Sequence, residues 1–101
     1  MINKNIFLNK LEEKNVIVSD GAIGSQLMEH GLSPGDCPEK FNLEKPDIIQ
    51  NIAQKYLEAC AEIIQTNTFG ASPLKLSDYG LEKKVSKINS KAVEIVREIV
   101  G

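Results

Sequence analysis

The sequence predicts an α/β fold, the N-terminal portion of a (β/α)8 barrel comprising about two βα units and an N-terminal helix. Three observations carry this. Val16-Ile17-Val18-Ser19 and Ala61-Glu62-Ile63-Ile64-Gln65 are short β-branched runs without strict alternation, the pattern of strands covered on both faces of a parallel sheet. Both end abruptly in polar and glycine residues, Asp20-Gly21 and Thr66-Asn67-Thr68-Phe69-Gly70. A strongly amphipathic helical segment lies between them, and a strand-helix-strand order of this length is a right-handed parallel crossover in nearly every case.

Taken in order, Ile6 to Lys14 reads as a short amphipathic helix with Ile6, Phe7 and Leu11 on one side, expected to cover the bottom of a barrel or sheet. The first strand is expected over Val16–Ser19, ending at Asp20-Gly21. Ile23 to Glu29 then reads as a short helix stopped by His30-Gly31. Ser33 to Pro38 has the proline and glycine density of an irregular loop, long for a βα connection, and long loops in compact domains often carry function.

Pro46 is a favourable first helical residue, and Ile48, Ile49, Ile52, Ala53, Tyr56, Leu57 and Cys60 then recur at three and four residues. The second strand is expected over Ala61–Gln65. Ser72 to Tyr79 predicts a short helical turn closed by Gly80. Leu81, Val85, Ile88, Ala92, Ile95, Val96 and Ile99 mark one face of a long final helix, with lysines and glutamates opposite. No repeat, low-complexity tract or linker divides residues 1–101, which read as one partial domain.

Two parallel strands leave outer edges of unpaired backbone groups, and three apolar helix faces need more partner surface than they supply. A (β/α)8 barrel takes about 250 residues, roughly 30 per βα unit. The expectation is therefore a fragment.

Composition narrows the function classes. The chain has 101 residues, 42% of them hydrophobic and 26% charged, with 12 basic and 14 acidic side chains for a net charge of −2. These values exclude disorder, and without a basic cluster interleaved with aromatics nucleic acid is not an expected partner. No apolar run is long enough for a signal peptide or a bilayer span, so the expected location is cytoplasmic, with no membrane partner. Cys37 and Cys60 have neither CxxC spacing nor a nearby histidine and read as reduced thiols.

Asp20-Gly21-Ala22-Ile23-Gly24-Ser25, Pro38-Glu39 with Asn42, Pro46-Asp47, and Gln65-Thr66-Asn67-Thr68-Phe69-Gly70-Ala71 with Tyr79-Gly80-Leu81-Glu82 together resemble the homocysteine S-methyltransferase family in order and spacing, across nearly all of residues 15–97. The Thr-Asn-Thr-Phe-Gly-Ala version is most similar to the homocysteine-binding barrel of the cobalamin-dependent methionine synthase type.

The resemblance implies a TIM barrel in which zinc, held by three cysteine thiolates, binds the sulfur of homocysteine as a thiolate that attacks an activated methyl group to make methionine. A free thiol is mostly protonated at neutral pH, whereas a metal-bound one is deprotonated. The family's three cysteines lie on later strands, so this chain is expected to hold neither metal ligands nor catalytic residues and to be inactive alone. The methyl donor stays open among methylcobalamin or a folate-derived group reached through other domains, methylated amino acids and betaine, which later loops or other domains would tell apart.

What the resemblance leaves to this chain is recognition of the amino-acid part of homocysteine. It implies that Asp20 accepts hydrogen bonds from the substrate ammonium and that Gly21 lets backbone approach closely. It also implies that the Thr66 hydroxyl holds the substrate carboxylate, while Asn67 orients the loop or the ligand.

Two departures stand out. Cys60 occupies a position where the family usually has glycine and a left-handed helix cap, at a cost of about 1 kcal/mol, and Ser25 replaces a threonine.

Bland readings stand beside these. Asp20-Gly21 alone is a turn, and Thr66 to Thr68 alone is a strand end before a helix capped by Thr68 or Ser72. Glu39 and Asn42 either line the pocket or serve as caps and surface turns. Cys37 is a loop bystander near the mouth of the site, and His30 complements a helix C-terminus.

Two rival functions remain open: a complete, non-catalytic α/β binding module that self-associates, and one half of a split barrel whose complementary chain supplies the remaining segments and the cysteines.

Overall fold

The computed structural model describes residues 4–14 and 16–100. Helices account for its regular structure: α1 (Lys4–Lys14), α2 (Gly24–Glu29), α3 (Phe41–Glu44), α4 (Pro46–Glu58), α5 (Pro73–Ser77) and α6 (Val85–Val100), with single 3-10 turns at Pro38–Lys40 and Glu82–Lys84.

Among the described residues there is no strand, and this overturns the α/β expectation and with it the barrel portion built from βα units. The two β-branched runs do lie side by side, but they meet in one parallel bridge between Ser19 and Ile63. Asp20 N donates to Ile63 O at 2.9 Å, and Glu62 N and Ile63 N both donate to Val18 O, at 2.7 and 3.1 Å. A ladder extends only when neighbouring segments satisfy its outer backbone groups and cover its faces. Here Val16 and Val18 stay 64% and 51% exposed, so the run expected to be buried on both sides is instead an extended surface segment.

The helices assemble through two apolar clusters. Leu27, Leu32, Phe41, Ile49, Ile52 and Ile95 form one, joining α2, α3, α4 and α6. The other gathers Cys37, Ala71, Leu76, Leu81 and Ile88 between the loop before α3, α5 and α6. Much of the periodic faces read from the sequence points inward, Ile49, Ile52 and Ala53 from α4 and Ile88, Ala92, Ile95 and Val96 from α6, whereas Cys60, the last residue of the first series, is exposed. Each fully buried Leu or Ile of this kind contributes roughly 1.5–3 kcal/mol.

Helix α1 departs from its expected covering role. Ile6, Phe7, Leu8 and Leu11 are all exposed, and an ion pair joins Lys10 Nζ to Glu62 Oε2 at 3.2 Å. A half-exposed pair of this kind is worth little.

Local chemistry sets the helix ends. Pro46 and Pro73 occupy first-turn positions, and Ser72 Oγ caps α5 by accepting from Lys75 N at 3.2 Å. Three C-termini share one device, a bond spanning five residues across a left-handed position. Leu32 N donates to Leu27 O at 3.0 Å, Ala61 N to Tyr56 O at 3.0 Å, and Leu81 N to Leu76 O at 2.9 Å. The left-handed residues are Gly31 (φ 103°), Cys60 (φ 73°) and Gly80 (φ 70°). The left-handed cap expected at Cys60 is therefore present, occupied by a residue that carries a Cβ.

Candidate functional site

The bridge between the two extended runs brings the two polar motifs together. Asp20 follows the bridging Ser19, and its Oδ2 accepts from Gln65 N at 3.1 Å while its Oδ1 accepts from Ser19 Oγ at 3.1 Å. The carboxylate is thus pinned against the residue that precedes Thr66, and Asp20 itself is only half-buried.

The turn that follows Asp20 rests on α4. Tyr56 Oη donates to Ala22 O at 2.6 Å, and a Cβ at position 21 would lie 3.1 Å from the same Oη. The neighbour that a side chain at position 21 would meet is the Tyr56 ring.

Thr66 is half-buried, its Oγ1 2.8 Å from Thr68 Oγ1, and Thr68 N closes a tight turn onto Thr66 O at 2.9 Å. Beyond it Phe69 stands fully exposed. Asn67 points the other way. It is buried, and its Nδ2 donates to Pro38 O at 3.0 Å and to Asn42 Oδ1 at 2.9 Å. Asn42 returns the bond, donating from Nδ2 to Asn67 O at 2.9 Å and to Ile88 O at 3.3 Å.

Glu39 and Asn42, open between pocket lining and surface turn, prove to be buried. Glu39 Oε1 accepts from Cys37 Sγ at 3.6 Å and lies against Gly70. Cys37, in the loop before α3, is buried in the core. Burial pushes its thiol pKa up, opposed by the backbone N–H of Lys40 and reinforced by the Glu39 carboxylate. His30 does sit at the C-terminus of α2.

Two clefts lie apart from the four candidate residues. One, of about 240 Å³, is lined by Asp36, Cys37, Lys40, Phe41, Glu44 and Tyr79. The other, of about 160 Å³, opens between α2 and α4 beside Gln26 and Tyr56. Neither is lined by Asp20, Gly21, Thr66 or Asn67.

The sequence profile of the homocysteine S-methyltransferase family matches residues 17–101, which takes in both polar motifs and the turn that clamps them. The chain belongs to the homocysteine S-methyltransferase family. Two proteins described as methionine synthase, from Mycobacterium leprae and Mycobacterium tuberculosis, are each 34% identical to it over 92 residues. That alignment covers 85% of this chain and 8% of each relative, so the chain spans a small part of the length of the curated relatives it matches.

For a homocysteine S-methyltransferase chain, the test of a thiolate zinc site is its donor set. Only two cysteines are present, one in the core and one exposed, and among the described residues no three His, Cys, Asp or Glu side chains come together. These residues do not fit a metal held by three thiolates. Among the described residues, too, no helix is long and apolar enough to cross a membrane.

Residue-by-residue reading missed Tyr56 and the pairing of Asn42 with Asn67. The available signal was slight: a tyrosine on an apolar helical face with no stated use for its hydroxyl, and two asparagines in matched motifs with no stated partner.

Proposed function

We propose that this chain supplies amino-acid recognition in a homocysteine S-methyltransferase, binding the ammonium and carboxylate of homocysteine and leaving sulfur activation to polypeptide beyond these residues. The observation that supports this reading is the bond from Gln65 N to Asp20 Oδ2, which holds the Asp20 carboxylate on the main chain of the residue that precedes Thr66.

The chemistry of the pair suits a zwitterion. An ionised Asp20 accepts hydrogen bonds only, which matches an ammonium, and the bond is charge-assisted on both sides. Thr66 carries a donor on a half-buried hydroxyl and can turn it from Thr68 to a carboxylate oxygen. Asn67 acts through the loop, because its amide protons are engaged with Pro38 and Asn42. Methyl transfer itself needs a thiolate and a methyl donor, which this set of residues does not generate.

The test is a calorimetric titration of homocysteine into the full chain and into Asp20→Asn and Thr66→Val. Loss of a charge-assisted bond of roughly 1.5–3 kcal/mol predicts about a 10- to 100-fold weaker Kd for Asp20→Asn, with a smaller loss for Thr66→Val. Equal affinity in the wild type and Asp20→Asn, or no uptake by the wild type, refutes the reading.

A second reading, a non-catalytic self-associating module, draws on Phe69 and Leu74, which are 102% and 82% exposed, and on the bare apolar residues of α1. Sedimentation that finds only monomer across a concentration series removes it.

A further inference from the structure

We propose that Asn42 is a positioning residue for the Thr66–Thr68 turn: its amide fixes the main chain that aims the Thr66 hydroxyl. The part of this that concerns substrate rests on the proposed role of Thr66.

Asn42 is completely buried at the start of α3, 25 residues away in sequence from the turn it holds. Its two amide protons go to two carbonyls, Asn67 O at 2.9 Å and Ile88 O at 3.3 Å, and its Oδ1 accepts from Asn67 Nδ2 at 2.9 Å. These partners admit one orientation of the amide, because reversing it would set an oxygen against two carbonyl oxygens and NH2 against NH2. One side chain therefore locks helix α6, the backbone of Asn67 and the side chain of Asn67 in a single arrangement.

The consequence passes to Thr66 through the main chain. Asn67 O is held by Asn42, while Thr68 N returns to Thr66 O at 2.9 Å, so the peptide groups on either side of Asn67 are both fixed. Thr66 Oγ1 and Thr68 Oγ1 then face each other at 2.8 Å across that turn. The second proton of Asn67 Nδ2, on Pro38 O at 3.0 Å, ties the turn to the segment that leads into α3.

Aspartate has the acceptor but neither donor and brings a charge into a buried site, whereas alanine removes the partner of the buried Asn67 carbonyl and of one proton of the Asn67 amide.

The test compares the nitrogen-labelled full chain with Asn42→Ala, the milder Asn42→Ser, and Ile95→Val, a core truncation in the apolar cluster around α4. Two quantities are read: the backbone amide shifts of Thr66, Asn67 and Thr68, and the Kd for homocysteine. Both Asn42 variants are expected to move the three amides and to weaken homocysteine by about tenfold or more, with Ile95→Val doing neither. Unmoved amides in the Asn42 variants, or an equal movement in Ile95→Val, overturn the positioning role. If the wild type takes up no homocysteine, the substrate assignment fails by itself and the amide shifts alone decide whether Asn42 positions the turn.

Discussion

Gly70 lies so close to Glu39 that a Cβ at position 70 would sit 2.9 Å from Glu39 Oε1. The restriction is steric, since Gly70 is not among the positive-φ glycines. It marks the point where the turn after Thr66 presses on the buried Glu39.

Gly70→Ala is expected to destabilise the chain by about 1 kcal/mol, because the atom it meets ends a flexible side chain that is nonetheless buried and has little room to move. Glu39→Ala should remove most of that penalty. Urea unfolding of the two single variants and the double variant measures it, and strictly additive effects would show that the contact does not limit position 70.

Cys60 holds a left-handed conformation at φ 73° while Gly31 and Gly80 serve the same C-terminal device in α2 and α5. Cys60→Gly is expected to stabilise by up to about 1 kcal/mol, relief of Cβ strain outweighing the added freedom of the unfolded chain. Gly31→Ala and Gly80→Ala should each destabilise by a similar amount. Thermal midpoints decide the matter, and a lower midpoint for Cys60→Gly would mean that its side chain makes a compensating contact.

The Cys37 thiol predicts a pH dependence. Burial raises its pKa in the folded state above the unfolded value, so the native state holds the proton more tightly. The associated stability is full below the ordinary thiol range and is lost as pH rises through the raised value. Urea midpoints taken at about pH 7.5 and about pH 9.5 should therefore fall with pH, and Cys37→Ala should flatten that slope while lowering stability overall. An equal slope in Cys37→Ala would assign the effect to other groups.

What could be read along the chain was what depends on near neighbours. Pro46 opening α4, Ser72 capping α5, the inward faces of α4 and α6 and the left-handed Cys60 all rest on interactions within a few residues, so residue type and spacing determine them. The family, too, was legible, because its motifs are local strings in a constant order.

What only the tertiary structure decided depends on distant partners. Val16–Ser19 and Ala61–Gln65 have strand composition, but a strand exists only when a ladder forms, and these runs share a single bridge with Val16 and Val18 left exposed. The same holds at the site. Asp20 meets the Gln65 backbone across 45 residues, at the surface, and Asn42 meets Asn67 across 25, in the interior, and no local pattern encodes which polar groups will meet or which will be desolvated. Burial turns such a pair from interchangeable surface amides into a fixed network, because each unpaired buried donor or acceptor would cost about 1–3 kcal/mol.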